Sequence, residues 1–121
     1  MRPNVLVVDD NPVNQQLIQW ALEDSADVHV SADGRDVLAR ALSLDAKVVF
    51  LDLMMPGVSG FDVIEQLRRE MPQLLQRTIV ISAQDDPETR RRVMAAGIAA
   101  FQKKPLEIDD VLRLFASMAS S

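Results

Sequence analysis

A chain of 121 residues, 48% hydrophobic and 26% charged, has the make-up of one folded domain with a real core, expected to span residues 1–121. The formal net charge of −5 argues against direct binding of nucleic acid or an anionic membrane, and the absence of cysteine excludes disulfides, thiolate catalysis and cysteine-ligated zinc. No apolar run approaches the ~20 residues of a membrane span, and the run of four in MRPNVLVVDD is too short for a signal peptide, so a cytoplasmic location is expected.

Val5–Val8 is a short, continuous, β-branched run that stops at two acids, the pattern of a strand covered on both faces. Pro12 opens a helical pattern, with Asn11 as its cap and Val13, Leu17, Trp20, Ala21 and Leu22 on the face turned to the core. Val28–Val30 gives a weaker second strand, and ADGRDVLARAL a second helix with Val37, Leu38, Ala41 and Leu42 inward. A third strand, Val48–Leu51, is expected to stop at Pro56-Gly57, and Phe61, Val63, Ile64 and Leu67 form the stripe of a third helix. Thr78–Ser82 is the fourth strand. The fourth helix has Asp86 as cap, Pro87 at its first position and Gly97 as its stop. Ala99–Phe101 is a fifth strand, and Leu106–Met118 a closing helix with Ile108, Val111, Leu112 and Phe115 inward.

Strand and helix thus alternate five times. Right-handed crossovers then give an α/β fold, a five-stranded parallel sheet with helices on both faces, doubly wound, (βα)5 and flavodoxin-like in the order 2-1-3-4-5. Ligands of such sheets sit beyond the carboxyl ends of the strands. At those ends stand Asp9 and Asp10, Asp52, Ser82, and Lys103-Lys104-Pro105. Any one of these alone reads as a cap, a turn or a loop residue. Together at one edge they form a site of three carboxylates, a hydroxyl and an ammonium. Crowded carboxylates call for a hard cation such as Mg²⁺, and the hydroxyl and ammonium suit phosphoryl oxygens, so the chemistry indicated is phosphoryl transfer. Asp52 is expected to stand where its strand emerges from the core, not within it.

The motifs VLVVDDNPVN, VVFLDLMMPGVSGFDVIEQLR, TIVISA and AAGIAAFQKKPL, in this order and spacing, resemble those of the receiver (response-regulator) domains of two-component phosphorelays. The resemblance covers nearly the whole chain and implies a phosphorylation-dependent signalling switch. Asp52 would take a phosphoryl group from a phosphohistidine on a histidine kinase or histidine phosphotransfer protein. Asp10 would ligate Mg²⁺ directly and Asp9 through water, with Asp52 and the backbone carbonyl of Met54 completing the set. Lys104, in a cis bond to Pro105, would pair with Asp52 and then with the phosphoryl group, whereas Lys103 would lie at the surface. Ser82 and Phe101 match the family's switch pair, and Met54 and Gln84 the positions that tune phosphoryl lifetime. The helix opening at Val13 and Asn14 matches the surface offered to histidine-bearing helices. The fourth helix, fifth strand and fifth helix match the output face, acting on a downstream effector domain or protein or forming a homodimer. ETRRR, Glu88 to Arg92, is either part of that face or a solvated basic run.

The resemblance implies that the chemistry catalysed would be the domain's own phosphorylation and dephosphorylation, not turnover of an external substrate. A haloacid-dehalogenase-type phosphatase would need an acid two residues after the acceptor aspartate, where Met54 stands. A flavin binder would need a hydroxyl- and glycine-rich loop in place of DDNPVN. The remaining alternative is a pseudo-receiver, a phosphorylation-independent interaction module, against which the complete set Asp9, Asp10, Asp52, Ser82 and Lys104 argues.

Overall fold

The computed structural model describes residues 2–55 and 57–119; Pro56, half of the expected stop after the third strand, lies outside them. Five strands, β1 (Asn4–Val8), β2 (Asp27–Ser31), β3 (Val48–Asp52), β4 (Thr78–Ser82) and β5 (Ala100–Lys103), form one parallel sheet in the order β2-β1-β3-β4-β5. The helices are α1 (Pro12–Leu22), α2 (Val37–Leu44), α3 (Gly60–Glu70), α4 (Pro72–Leu75), α5 (Pro87–Ala95) and α6 (Ile108–Ala119). The single turn α4 was not expected, so the predicted fourth and fifth helices are α5 and α6. Pro72 starts that turn, and the buried hydroxyl of Thr78 donates to the Leu74 carbonyl at 2.8 Å.

Side chains alternate across the sheet and divide its core in two. Val5, Val7, Val48, Phe50, Ile79 and Ile81 pack with residues of α1 and α6, including Ile18, Leu22, Val111, Leu114 and Phe115. Leu6, Val8, Val49, Leu51 and Val80 pack on the other side with Val37, Val63, Ile64, Leu67 and Val93. Asp52 continues the alternation of Val48 and Phe50, toward the α1 and α6 side. Ser82 continues that of Thr78 and Val80, toward α5.

Helix ends follow local chemistry. Asn11 accepts the Val13 N–H, Ser59 and Asp62 form a capping box on α3, and Asp86 accepts the Thr89 N–H to start α5. The second helix begins at Val37 rather than at Ala32, because Asp33 Oδ1 accepts the Arg35 N–H at 2.9 Å and turns the chain first.

Several expected core positions lie outside. Val13 is 72% exposed, Trp20 58% and Leu42 60%, while Ile18, Leu22 and Ala41 carry the burial in their helices. In α6, Ile108 and Leu112 are exposed and Leu114 and Met118 are buried with Val111 and Phe115. An apolar residue can sit on either flank of a helical stripe, and periodicity alone did not locate the stripe's centre.

Candidate phosphoacceptor site

Parallel register brings the ends of β1, β3, β4 and β5 to one edge: Val8 pairs with Leu51, Asp52 with Ile81, and Ser82 with Lys103. Asp9, Asp10 and Asp52 each place a carboxylate oxygen within 4.8 Å of the others. Lys104 Nζ lies 3.2 Å from Asp52 Oδ2 and 3.6 Å from Asp9 Oδ2. The Lys104–Pro105 peptide is cis, and the Lys104 N–H donates to the Ser82 carbonyl at 2.8 Å.

Asp52 does not stand clear of the core. It is the last residue of β3 and only 2% exposed, a correction to the expectation of an emerging side chain. Leu53 and Met55, just past the strand end, are buried too, and the Gly60 N–H donates to the Leu53 carbonyl at 2.9 Å, which ties this segment to the start of α3. What makes the buried charge tolerable is pairing, with Lys104 on Oδ2 and the Met54 N–H on Oδ1 at 3.2 Å. Burial first, and the neighbouring Asp9 charge second, still push the Asp52 carboxyl above the ordinary carboxylate range, against the pull of Lys104 and the Met54 N–H.

Asp9 is fully buried and well partnered. The Asn11 N–H donates to its Oδ1 at 2.9 Å and the Asn14 amide to its Oδ2 at 3.2 Å, while Gln15 donates to its backbone carbonyl at 2.6 Å. Asn14 and Gln15 therefore brace the acidic edge, a role that their place on the first helix turn did not reveal. Asp10 is exposed. Ser82 Oγ is buried and accepts the Gln84 N–H at 3.0 Å, and the Gln84 amide turns toward α5, 3.3 Å from Thr89 Oγ1. The Met54 side chain is exposed, and Phe101 is buried on the α5 side of the sheet. Lys103 is at the surface.

The response regulator receiver domain profile matches residues 5–116. The chain belongs to that family. This receiver domain is 38% identical over 114 residues to the probable transcriptional regulatory protein TcrX of Mycobacterium tuberculosis, covering 93% of this chain and 48% of TcrX. It is 32% identical over 120 residues to the sensory/regulatory protein RpfC of Xanthomonas campestris, covering 97% of this chain and 16% of RpfC. The chain thus spans about half of one relative and a small part of the other. Among solved structures, the Vibrio cholerae chemotaxis protein CheY4 superposes with a TM-score of 0.87 at 26% identity, covering 98% of this chain and 99% of that one. Aspartyl phosphorylation and Mg²⁺ are general features of receiver domains in two-component systems. Among the described residues, no helix is long and apolar enough to cross a membrane.

Proposed function

We propose that this receiver domain accepts a phosphoryl group on Asp52 from a phosphohistidine of a histidine kinase or histidine phosphotransfer protein, and thereby controls a downstream effector domain or protein. The observation that carries the reading is the cluster of Asp9, Asp10 and Asp52 around the Lys104 ammonium at the carboxyl edge of the sheet. An Asp52 oxygen attacks phosphorus and forms the new O–P bond as the P–N bond to the imidazole breaks. The electron pair stays on the imidazole nitrogen. Lys104, already within reach of two carboxylates, follows the negative charge onto the phosphoryl oxygens. Reversal to the resting state takes water at phosphorus, releases inorganic phosphate and restores the carboxylate, so the domain turns over only its own modification.

Asp9, Asp10, Asp52 and the Met54 carbonyl would hold Mg²⁺. The donors are all oxygen, and their charge exceeds what Lys104 balances, which is the fit a hard divalent cation needs. When bound, Mg²⁺ supplies neutralisation of the charge shared between carboxylates and phosphoryl oxygens.

Ser82 exchanges its bond with the Gln84 N–H for one to a phosphoryl oxygen, and Phe101 moves with it. The exposed Met54 side chain and Gln84 govern the access of water to phosphorus, and the apolar Met54 lengthens the phosphoryl lifetime. A half-life of seconds would refute that part. Val13, exposed at the start of α1 near the acidic edge, gives a donor helix an apolar contact, and α5, β5 and α6 form the output or homodimer face.

The test is incubation with Mg²⁺ and a small phosphodonor, followed by intact mass measurement. One phosphoryl group should add to the wild type, and none to Asp52→Asn or to the wild type with chelator. Absence of uptake, or equal labelling of the variant, overturns the reading.

A further inference from the structure

The first turn of α1 carries more hydrogen bonding than a helix start needs. Asn11 caps the helix and Pro12 fills its first position, which completes the ordinary start. Yet Asn14 Nδ2 donates to Asp9 Oδ2 at 3.2 Å, Gln15 Nε2 to the Asp9 carbonyl at 2.6 Å, and the Asn11 N–H to Asp9 Oδ1 at 2.9 Å. All three donors converge on one buried residue, while the adjacent Asp10 is exposed. Asparagine is also a poorer helix former than leucine or alanine, so its service at position 14 lies outside the helix.

Asp9 Oδ2 has a second claimant. Lys104 Nζ lies 3.6 Å from it and 3.2 Å from Asp52 Oδ2. One ammonium thus stands between two buried carboxylates and cannot pair fully with both. The Asn14 amide is a neutral donor, and it meets part of the demand of Asp9 Oδ2 without adding charge. Remove that amide, and among the described residues Oδ2 keeps only Lys104. The ammonium is then drawn toward Asp9, and Asp52 is left less paired. Asp9 also loses a bond that fixes the plane of its carboxylate. Outer partners of this kind ordinarily count for roughly 10–100-fold in metal affinity.

We propose that Asn14 is a positioning residue for the cation cluster: by holding Asp9 Oδ2 it keeps Lys104 on Asp52, and it thereby sets the affinity of the cluster for Mg²⁺. The affinity part rests on the cation reading above, whereas the division of Lys104 belongs to the metal-free protein. Gln15 supports the same residue from its backbone carbonyl and has no hold on the carboxylate.

The experiment compares wild type, Asn14→Leu, Asn14→Ala, Asn14→Gln and, as a control in the same helical turn, the exposed Gln16→Ala. Leucine nearly keeps the shape of asparagine and removes only its polar atoms, and thermal melts check that each variant folds. Calorimetric titration with Mg²⁺ should show binding weakened about tenfold in Asn14→Leu and Asn14→Ala. Asn14→Gln, which keeps the amide on a longer stem, should recover part of the loss, and Gln16→Ala should match the wild type. In metal-free protein labelled with ¹³C-aspartate, the carboxyl signals of Asp9 and Asp52, assigned by their loss in Asp9→Asn and Asp52→Asn, should both move in Asn14→Leu. Wild-type Mg²⁺ affinity in Asn14→Leu and Asn14→Ala overturns the proposal. Movement of the Asp9 signal with none at Asp52 overturns the division of Lys104. Weakened Mg²⁺ binding in the Asn14 variants, with no phosphoryl uptake by the wild type from a small phosphodonor, supports the proposal and overturns the phosphorylation reading.

Discussion

Replacing Gly60 by alanine puts two physical arguments in opposition. Gly60 is the first residue of α3, and helix propensity alone predicts that alanine stabilises the protein by up to ~1 kcal/mol. Space predicts the reverse. A Cβ at Gly60 would lie 2.5 Å from Leu53 Cα, 2.8 Å from the Asp52 carbonyl oxygen and 2.9 Å from the Leu53 carbonyl oxygen. All three are backbone atoms, and ordinary carbon contacts begin near ~3.5 Å, so α3 must retreat from the strand by about 1 Å. The retreat strains the 2.9 Å bond from the Gly60 N–H to the Leu53 carbonyl. Losing that bond costs about 1 kcal/mol and the overpacking ~1–3 kcal/mol, against the propensity gain. The expected net effect is a loss of about 2 kcal/mol, or a urea midpoint lower by about 1 M. Because the displaced atoms are the backbone of Asp52 and Leu53, labelling by a small phosphodonor should slow as well. A Gly60→Ala protein as stable as the wild type, or more so, would refute the steric argument.

Other consequences are equally direct. The raised Asp52 carboxyl means that the folded state binds its proton more tightly than the unfolded state does, so metal-free stability falls as pH rises above the ordinary carboxylate value of about 3.9. Asp52→Asn should be the more stable protein at neutral pH in chelator and should lose that part of the slope, as urea melts over a pH series would register. Leu114→Ala should cost ~2–4 kcal/mol and Leu112→Ala less than ~1, since only Leu114 faces the core; comparable losses in thermal melts would contradict the placement of α6. Thr78→Val keeps the shape but removes one of two donors to the Leu74 carbonyl, which keeps the Arg77 N–H at 2.9 Å, and chemical denaturation should show a loss of ~1 kcal/mol.

The topology was legible because every strand end carries a sharp change from apolar to polar, and because strand and helix alternate without a break. The same rule that reads the order also reads the site: Asp9, Asp10, Asp52, Ser82 and Lys104 follow apolar runs, and a parallel sheet sends those ends to one edge. What stayed hidden depends on distances that no linear pattern encodes. Asp52 reads as an emerging side chain, yet it is buried with Leu53 and Met55 after it, and the chain beyond β3 is tied to the start of α3 at Gly60. Asn14 and Gln15 look like outward residues of a first helical turn and instead reach back to Asp9. Arg90 and Arg92 read as a charge run, and only the placement of α5 reveals that their guanidinium groups lie over the rings of Phe101 and Phe61. The Pro72–Leu75 turn is too short for any periodicity to announce.

The central claim is that Asp52, and no other acid of the cluster, forms the covalent phosphoryl bond. The most direct measurement is to phosphorylate the domain with a small phosphodonor and Mg²⁺, trap the acyl phosphate with borohydride, and map the reduced residue by peptide mass spectrometry. Conversion of Asp52 to homoserine, absent without phosphodonor or with chelator, is the predicted result. Reduction at Asp9 or Asp10, or at no residue while phosphate is still incorporated, would contradict it.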